Sequence, residues 1–292
     1  MPTYLRVRLT HAAVQVMAED AGVRVLHVKG PALDERLLQR AASDGSALPR
    51  HSTDADIIVE PRGASRLIDE MGRHGFEVVT SFSTGSAFEH AASLWSDTLG
   101  WADVHRTFPG LGVDPAVAFE ALWRDRSSAS LAGWDCPVPS LTAQRLLLLL
   151  HAARTGGEGN SDVVPAWRNA TDEDRDAVRD LAVELHADIG LAAATGTLDD
   201  FQSHPEYELW LLFSGRSHGR LAEWRARVKA APTRTARLRL VVRSMMVNTD
   251  AMSMQLHRRP TRTEIVREFG HRFTVVGREL VRIVLRRKDE RA

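Results

Sequence analysis

Cysteine, tyrosine and lysine are nearly absent from this chain of 292 residues: one Cys, two Tyr and three lysines, Lys29, Lys229 and Lys288. A single cysteine, Cys136, excludes an internal disulfide, and with no second cysteine beside it there is no thiolate zinc site, so it is read as structural. Long apolar runs are missing too. The longest, Leu146 to Leu150 extended by His151 and two alanines, falls far short of the roughly 20 residues that cross a bilayer, so no membrane span and no membrane partner are expected. Glu19 and Asp20 interrupt the apolar positions that follow Arg6 and Arg8, which removes the uninterrupted core of a signal peptide. A cytoplasmic location is the expectation.

What is present suffices for a folded protein, since 43% of the residues are hydrophobic and the length allows one large domain or two ordinary ones. The formal net charge of zero conceals an asymmetry. Residues 1–199 carry 18 Arg/Lys against 28 Asp/Glu, and residues 200–292 carry 20 against 10. The basic last third complements either a nucleic-acid or nucleotide phosphate, or the acidic part of its own chain, and solvated helix faces with intramolecular complementarity are the favoured reading.

The pattern along the chain predicts an α+β organisation: a mixed sheet with flanking helices over residues 1–138, then an all-helical domain over 139–292. Ala12, Ala13, Val16 and Met17 lie at helical spacing within 10–21, with Gly22 placed to stop the helix. Val23, Val25, Leu26 and Val28 predict a strand, after which Lys29-Gly30-Pro31 turns the chain into an expected helix with Pro31 at its first position. Further strands are expected over Asp54–Glu60 and Gly100–Arg106, with a helix over 62–73 and a short extended run Phe76–Val79 between them. From Ser140 onward leucine, alanine and arginine recur at helical spacing. Thr171 before three acids marks one helix start, and Thr261 with Glu264 forms a capping box at another. Gly156-Gly157-Glu158-Gly159-Asn160-Ser161 has the composition of a mobile inter-helix loop.

The chemistry centres on Ser52-Thr53-Asp54-Ala55-Asp56-Ile57-Ile58-Val59. Residues two apart on a strand share a face, about 6.6 Å apart along it, so the carboxylates of Asp54 and Asp56 can bracket one divalent cation or a close pair. The apolar run that follows is expected to be buried on both faces, holding the acidic end rigid at the sheet edge. Upstream, Lys29 supplies a point charge and Gly30 a close main-chain approach for a phosphate at a helix start. Downstream, Trp101, Asp103 and His105 alternate onto one face, which adds a third carboxylate. Three aspartates on adjacent strands meet the needs of two-metal phosphoryl transfer, in which carboxylates hold the ions and one orients or deprotonates the attacking hydroxyl. His105 is read as structural or substrate-orienting. Arg50 and His51 precede the acidic motif and can reach a triphosphate, although a plain loop over Ala42–Thr53 accounts for them as well.

A Lys-Gly turn after a first strand, Asp-x-Asp leading into an apolar run, and a later strand with Asp-x-His together resemble the bacterial uncharacterised nucleotidyltransferase family. This family belongs to the DNA polymerase β-like nucleotidyltransferase superfamily. The likeness spans roughly residues 23–123, and Pro139-Ser140-Leu141-Thr142 leading into Leu146–His151 agrees in outline. It implies a magnesium site, with manganese as the substitute, held by Asp54 and Asp56 with Asp103 as third carboxylate. It further implies a nucleoside triphosphate on Lys29 and Gly30, and transfer of the NMP group to a small molecule, a tRNA end or a protein. The chain departs from the superfamily at Gly30-Pro31, where Gly-Ser or Gly-Gly is usual, because proline removes an amide. Two other readings compete: a catalytically inactive nucleotide- or nucleic-acid-binding scaffold of the same fold, and a hydrolytic metal site at Asp54, Asp56, Asp103 and His105. Glu89-His90 is a further pair that can face the same cleft, whereas the methionines at 245, 246, 252 and 254 read as helix packing.

Overall fold

The chain opens with helix α1, Thr3–Asp20, whose buried side chains Val7, Thr10, His11, Val14, Gln15, Met17 and Ala18 form one stripe at three- and four-residue spacing. It starts well before the expected residue 10, and it stops at Gly22, whose φ of +61° suits a residue without a Cβ. The computed structural model describes residues 1–41, 47–49, 51–82, 90–215, 220–231, 233–235, 237–238, 240, 252 and 261–270. Arg50 and Glu89, and the methionines at 245, 246 and 254, lie outside them.

The strands and helices that follow are β1 (Val25–Val28), β2 (Gln39–Ala41), β3 (Ala47–Pro49), β4 (Asp54–Val59), α2 (Ala64–Arg73), β5 (Glu77–Thr80), β6 (Ala91–Ser96) and β7 (Gly100–His105). After them come α3 (Pro115–Arg124), the hairpin β8 (Ser127–Leu131) and β9 (Trp134–Val138), α4 (Leu141–Arg154), α5 (Asp172–Glu184), α6 (Asp188–Thr195), α7 (Tyr207–Phe213) and α8 (Arg220–Ala230). Five strands form one mixed sheet in the order β1-β4-β7-β6-β5. β4 and β7 run parallel and every other neighbouring pair is antiparallel. The α+β reading therefore holds.

The register divides the sheet into two chemically different faces. Val25, Ile57, Val59, Ala92, Leu94, Ala102 and Val104 point to one side, where α1 packs through Val14, Met17 and Ala18 and α2 through Leu67 and Met71. Full burial of each such aliphatic chain is worth about 1.5–3 kcal/mol. The alternate positions Asp54, Asp56 and Ile58 of β4, with Trp101, Asp103 and His105 of β7, lie on the other side. Asp54 and Asp56 thus sit on an inner strand, rather than at the sheet edge as expected. The parallel β4–β7 pairing sets the two acidic strands side by side in the middle.

The helix expected after Pro31 does not form. Only a 3-10 turn, Gly30–Ala32, follows β1, and a second, Glu35–Leu37, comes after an extended Leu33. Lys29 and Gly30 take φ of +60° and +47°, Pro31 has no N–H to give, and Asp34 accepts from the Arg36 amide to start a new turn. The β8–β9 hairpin was not anticipated. With Ala32 it encloses Cys136, a wholly buried thiol that burial pushes up to about 12, in keeping with its structural reading. The glycine-rich segment at 156–161 contains a 3-10 turn, Gly157–Gly159, tied down by the Asn160 side chain donating to the Thr155 carbonyl.

α4 begins at Ser140, whose hydroxyl accepts from the Ala143 amide, and α5 begins at Thr171, which accepts from the Asp174 amide. By compactness the chain divides into two units, Met1–Gln202 with Phe213–Gly215, and Ser203–Leu212 with Arg216–Ala292. The change from strands to helices at Val138–Leu141 falls inside the first. In the second, Lys229 pairs with Glu208 at 2.7 Å, and the helical stretch 262–270 opens on the expected capping box. There the Thr261 amide donates to the Glu264 carboxylate and the Glu264 amide to the Thr261 hydroxyl. Among the described residues no helix is long and apolar enough to cross a membrane.

Candidate functional site

Asp56 and Asp103 are direct register partners across the parallel β4–β7 pair, and two residues further along Ile58 partners His105. One donor atom each from Asp56, Asp103 and His105 lies within 4.8 Å of the other two. Asp56 is buried, at 4% exposure, and its Oδ1 accepts from both the Lys29 ammonium and the His105 Nε2, each at 2.8 Å. Donation to an ionised carboxylate places the proton of that hydrogen bond on Nε2, and His105 Nδ1 is buried with no partner.

Electrostatics separates the three acids. Burial alone pushes the Asp56 carboxyl up, but Lys29 and the His105 hydrogen bond outweigh it and hold Asp56 well below the usual carboxylate range. Asp103 is shifted upward, first by burial and then by the charge of Asp56, with Ser93, His105 and Lys29 opposing. Asp54 is also raised, by burial and then by Asp56 and Asp103. Lys29 and the Ser52 hydroxyl, which donates to Asp54 Oδ1 at 3.1 Å, pull the other way. The mutual repulsion among three carboxylates is a strain that a cation bound there would relieve.

Lys29 owes its position to the backbone. A φ of +60° in a side-chain-bearing residue costs on the order of 1–3 kcal/mol, and the ion pair with Asp56 anchors the side chain. Gly30 follows with φ +47°, and a Cβ there would meet the Ser52 Cβ at 2.8 Å, so this turn accepts only glycine against the segment that leads into β4. His51 is exposed, away from the cluster's hydrogen bonds.

Lys29, Asp54, Asp56, Asp103 and His105 are thereby brought together as the sequence pattern suggested. His90, weighed only as a neighbour of Glu89, stacks on His105 with ring centroids 5.4 Å apart, and burial, followed by the charge of His105, lowers it to about 3. Other neighbours carried no sequence signal. Phe108 is fully buried, with the Lys29 ammonium 5.9 Å and the Arg154 guanidinium 5.8 Å from its ring centroid and the His105 ring at 6.0 Å. His151 and Arg154 come from the last turn of α4, and each feels the charge of Asp56. Their distance in sequence, about fifty residues beyond Asp103, and their place in an ordinary Leu/Ala/Arg helix hid them.

The donor set of Asp56, Asp103 and His105 could hold a divalent cation, and the crowding of three acids favours a positive ion.

No protein-family model matches the chain, and no curated protein matches it. Among solved structures it is similar to the lincosamide antibiotic adenylyltransferase LnuA in its lincomycin-bound form, with 16% identity and a TM-score of 0.33 over 60% of this chain and 94% of that one. It is similar as well to an antigenic nucleotidyltransferase-like protein from Paracoccidioides brasiliensis, with 13% identity and a TM-score of 0.36 over 65% of this chain and 92% of that one.

Proposed function

We propose that the chain is a nucleotidyltransferase of the DNA polymerase β-like superfamily, transferring an NMP group from a nucleoside triphosphate to an acceptor. The observation that carries the reading is the placement of Asp56 opposite Asp103 on parallel inner strands, with His105 in ligand range and Lys29 at the same carboxylate. Asp54, Asp56 and Asp103 would hold magnesium or manganese, which supplies Lewis-acid neutralisation of the phosphate charge when bound.

The chain's own residues then have distinct tasks. Asp103, whose carboxyl is shifted upward by burial and by Asp56, takes the proton of the acceptor hydroxyl as its oxygen attacks the α-phosphorus. The bond from the α-phosphorus to the bridging oxygen breaks, and pyrophosphate leaves. Lys29, with the glycine turn behind it, meets the triphosphate, exchanging its bond to Asp56 for one to phosphate. His105 keeps Asp56 oriented through Nε2. Arg50 and His51, from the segment before β4, would extend the nucleotide contacts. The acceptor class is a small molecule, a tRNA end or a protein side chain.

Incubation with labelled triphosphates and magnesium should release pyrophosphate, and the Asp54→Ala/Asp56→Ala double variant should reduce release by about 10²-fold or more, as loss of a charge-stabilising group typically does. Equal release from the double variant sinks the assignment. A mass-shift screen of acceptors then identifies what is modified.

One observation favours the scaffold alternative: Asp56 is already neutralised by Lys29 within a hydrogen-bonded pair. Calorimetry with non-hydrolysable ATP and magnesium separates the readings. A scaffold without metal chemistry binds with no magnesium dependence that Asp54 controls.

A further inference from the structure

Arg145 and Arg154 lie on the same helix, α4, and are treated differently by the fold. Arg145 has a counter-ion: its guanidinium donates to the Pro165 and Ala166 carbonyls at 2.8 and 3.2 Å and pairs with Asp174 at 3.1 Å, although its Nε is buried without a partner. Arg154 is largely withdrawn from water, its Nε is buried without a partner, and no carboxylate among the described residues lies within ion-pair distance of it. One turn earlier on the same face, His151 Nδ1 is likewise buried and unpartnered. A helix C-terminus favours a cation, but that interaction is weak and leaves the guanidinium's planar fork unused.

The surroundings say what the fork faces. The Arg154 guanidinium and the Lys29 ammonium both lie within 6 Å of the Phe108 ring centroid, at 5.8 and 5.9 Å, so the two cations border the same buried ring. Lys29 is committed to Asp56, whereas Arg154 has no counter-ion among the described residues. Burial lowers Arg154 to about 10, with Asp56 opposing, so it stays charged at neutral pH. Burial, then Lys29 and Arg154, takes His151 down to about 4, which makes it an uncharged hydrogen-bonding group there.

We propose that Arg154 and His151, at the C-terminal turn of α4, form a polyphosphate-binding wall of the site, with Arg154 gripping the phosphate tail of the nucleotide donor through its planar fork. The identity of the ligand as a nucleotide's tail rests on the nucleotidyl-transfer reading; the anion site itself does not. An oxyanion accepts two parallel N–H bonds from a guanidinium, supplying the counter-charge that the described residues do not give Arg154.

Inorganic tripolyphosphate, titrated calorimetrically into the full chain in EDTA, tests the wall without metal or nucleoside. Wild type should bind, and Arg154→Gln should weaken binding about tenfold or more, the scale of one charge-assisted bidentate contact. If Arg154→Gln fails to fold, Arg154→Lys carries the test, since it keeps the charge, loses the fork and should bind about fivefold more weakly. Absence of binding to wild type, or equal affinity in the Arg154 variant that folds, overturns the proposal. Tripolyphosphate binding through Arg154 in a chain that releases no pyrophosphate from any triphosphate upholds the wall and removes the transferase reading instead.

Discussion

Lys29 occupies the place in the charge balance that a metal ion would otherwise fill. Its ammonium is 2.8 Å from Asp56 in a largely buried pair, and breaking such a pair by deleting one partner typically costs about 3–5 kcal/mol. The same cation would repel a divalent ion held at that carboxylate. Lys29→Met should therefore tighten manganese binding to the nucleotide-free chain by about tenfold, read by calorimetry, while lowering the affinity for triphosphate. Weaker manganese binding in the variant would show that Lys29 does not compete for Asp56. On the opposite face of the sheet, His11 Nδ1 meets His27 Nδ1 at 2.9 Å, and His27 Nε2 meets Gln15 Oε1 at 3.0 Å, all buried. Burial lowers His11 from 6.5 to about 4, Asp56 opposing and Arg8 assisting, and burial followed by His11 holds His27 well below 6.5. The unfolded chain then binds more protons than the folded one below 6.5. This part of the stability is complete above that pH and is lost as pH falls towards 4, at up to about 1.4 kcal/mol per pH unit for each histidine. Urea midpoints between pH 7 and 5 should fall steeply, and less steeply in His11→Gln. An unchanged slope in that variant would assign the acid sensitivity elsewhere.

Among the elements, β4 joins stability to chemistry. Its residues alternate between the helix-covered face and the polar face, so Ile57 and Asp56 share one rigid backbone. Ile57 is fully buried in the sheet–helix core, and Ile57→Ala should cost about 2–5 kcal/mol, measured by urea unfolding. A cost under 1 kcal/mol would mean that the core collapses around the gap and that β4 is less constrained than its burial implies. β4 was legible because a short β-branched apolar run follows Asp56, and β7 because the Trp101-Ala102-Asp103-Val104-His105 alternation has the two-residue period of a strand. The element after β1 was misread because Gly-Pro marks both helix starts and isolated turns, and the deciding feature, the left-handed φ at Lys29 and Gly30, is a property of the folded backbone. The β8–β9 hairpin was missed for a similar reason. Ser127–Ser130 and Trp134-Asp135 are largely exposed, so alternation there is faint.

Over the whole molecule, charge is unevenly spread, with 20 basic against 10 acidic residues in 200–292. If that region engages a tRNA acceptor, binding must weaken as salt displaces it, and a six-phosphate contact would lose about 10³-fold between 50 and 200 mM salt. Fluorescence anisotropy over that range decides the matter, because absent or salt-insensitive binding removes the tRNA option. By itself the sequence determined the α+β class, the two acidic strands, the carboxylates at 54, 56 and 103, and the caps at Thr171 and Thr261. All of these are local, written in the spacing of neighbouring residues. Only the tertiary structure decided that β4 and β7 are adjacent, parallel and central, which sets Asp56 against Asp103. It alone joined Lys29 to Asp56, stacked His90 on His105, and brought Phe108, His151 and Arg154 to the same place. Strand order and helix docking depend on burying apolar surface between segments far apart in the chain, and that pairing leaves no periodic trace in the residues it unites.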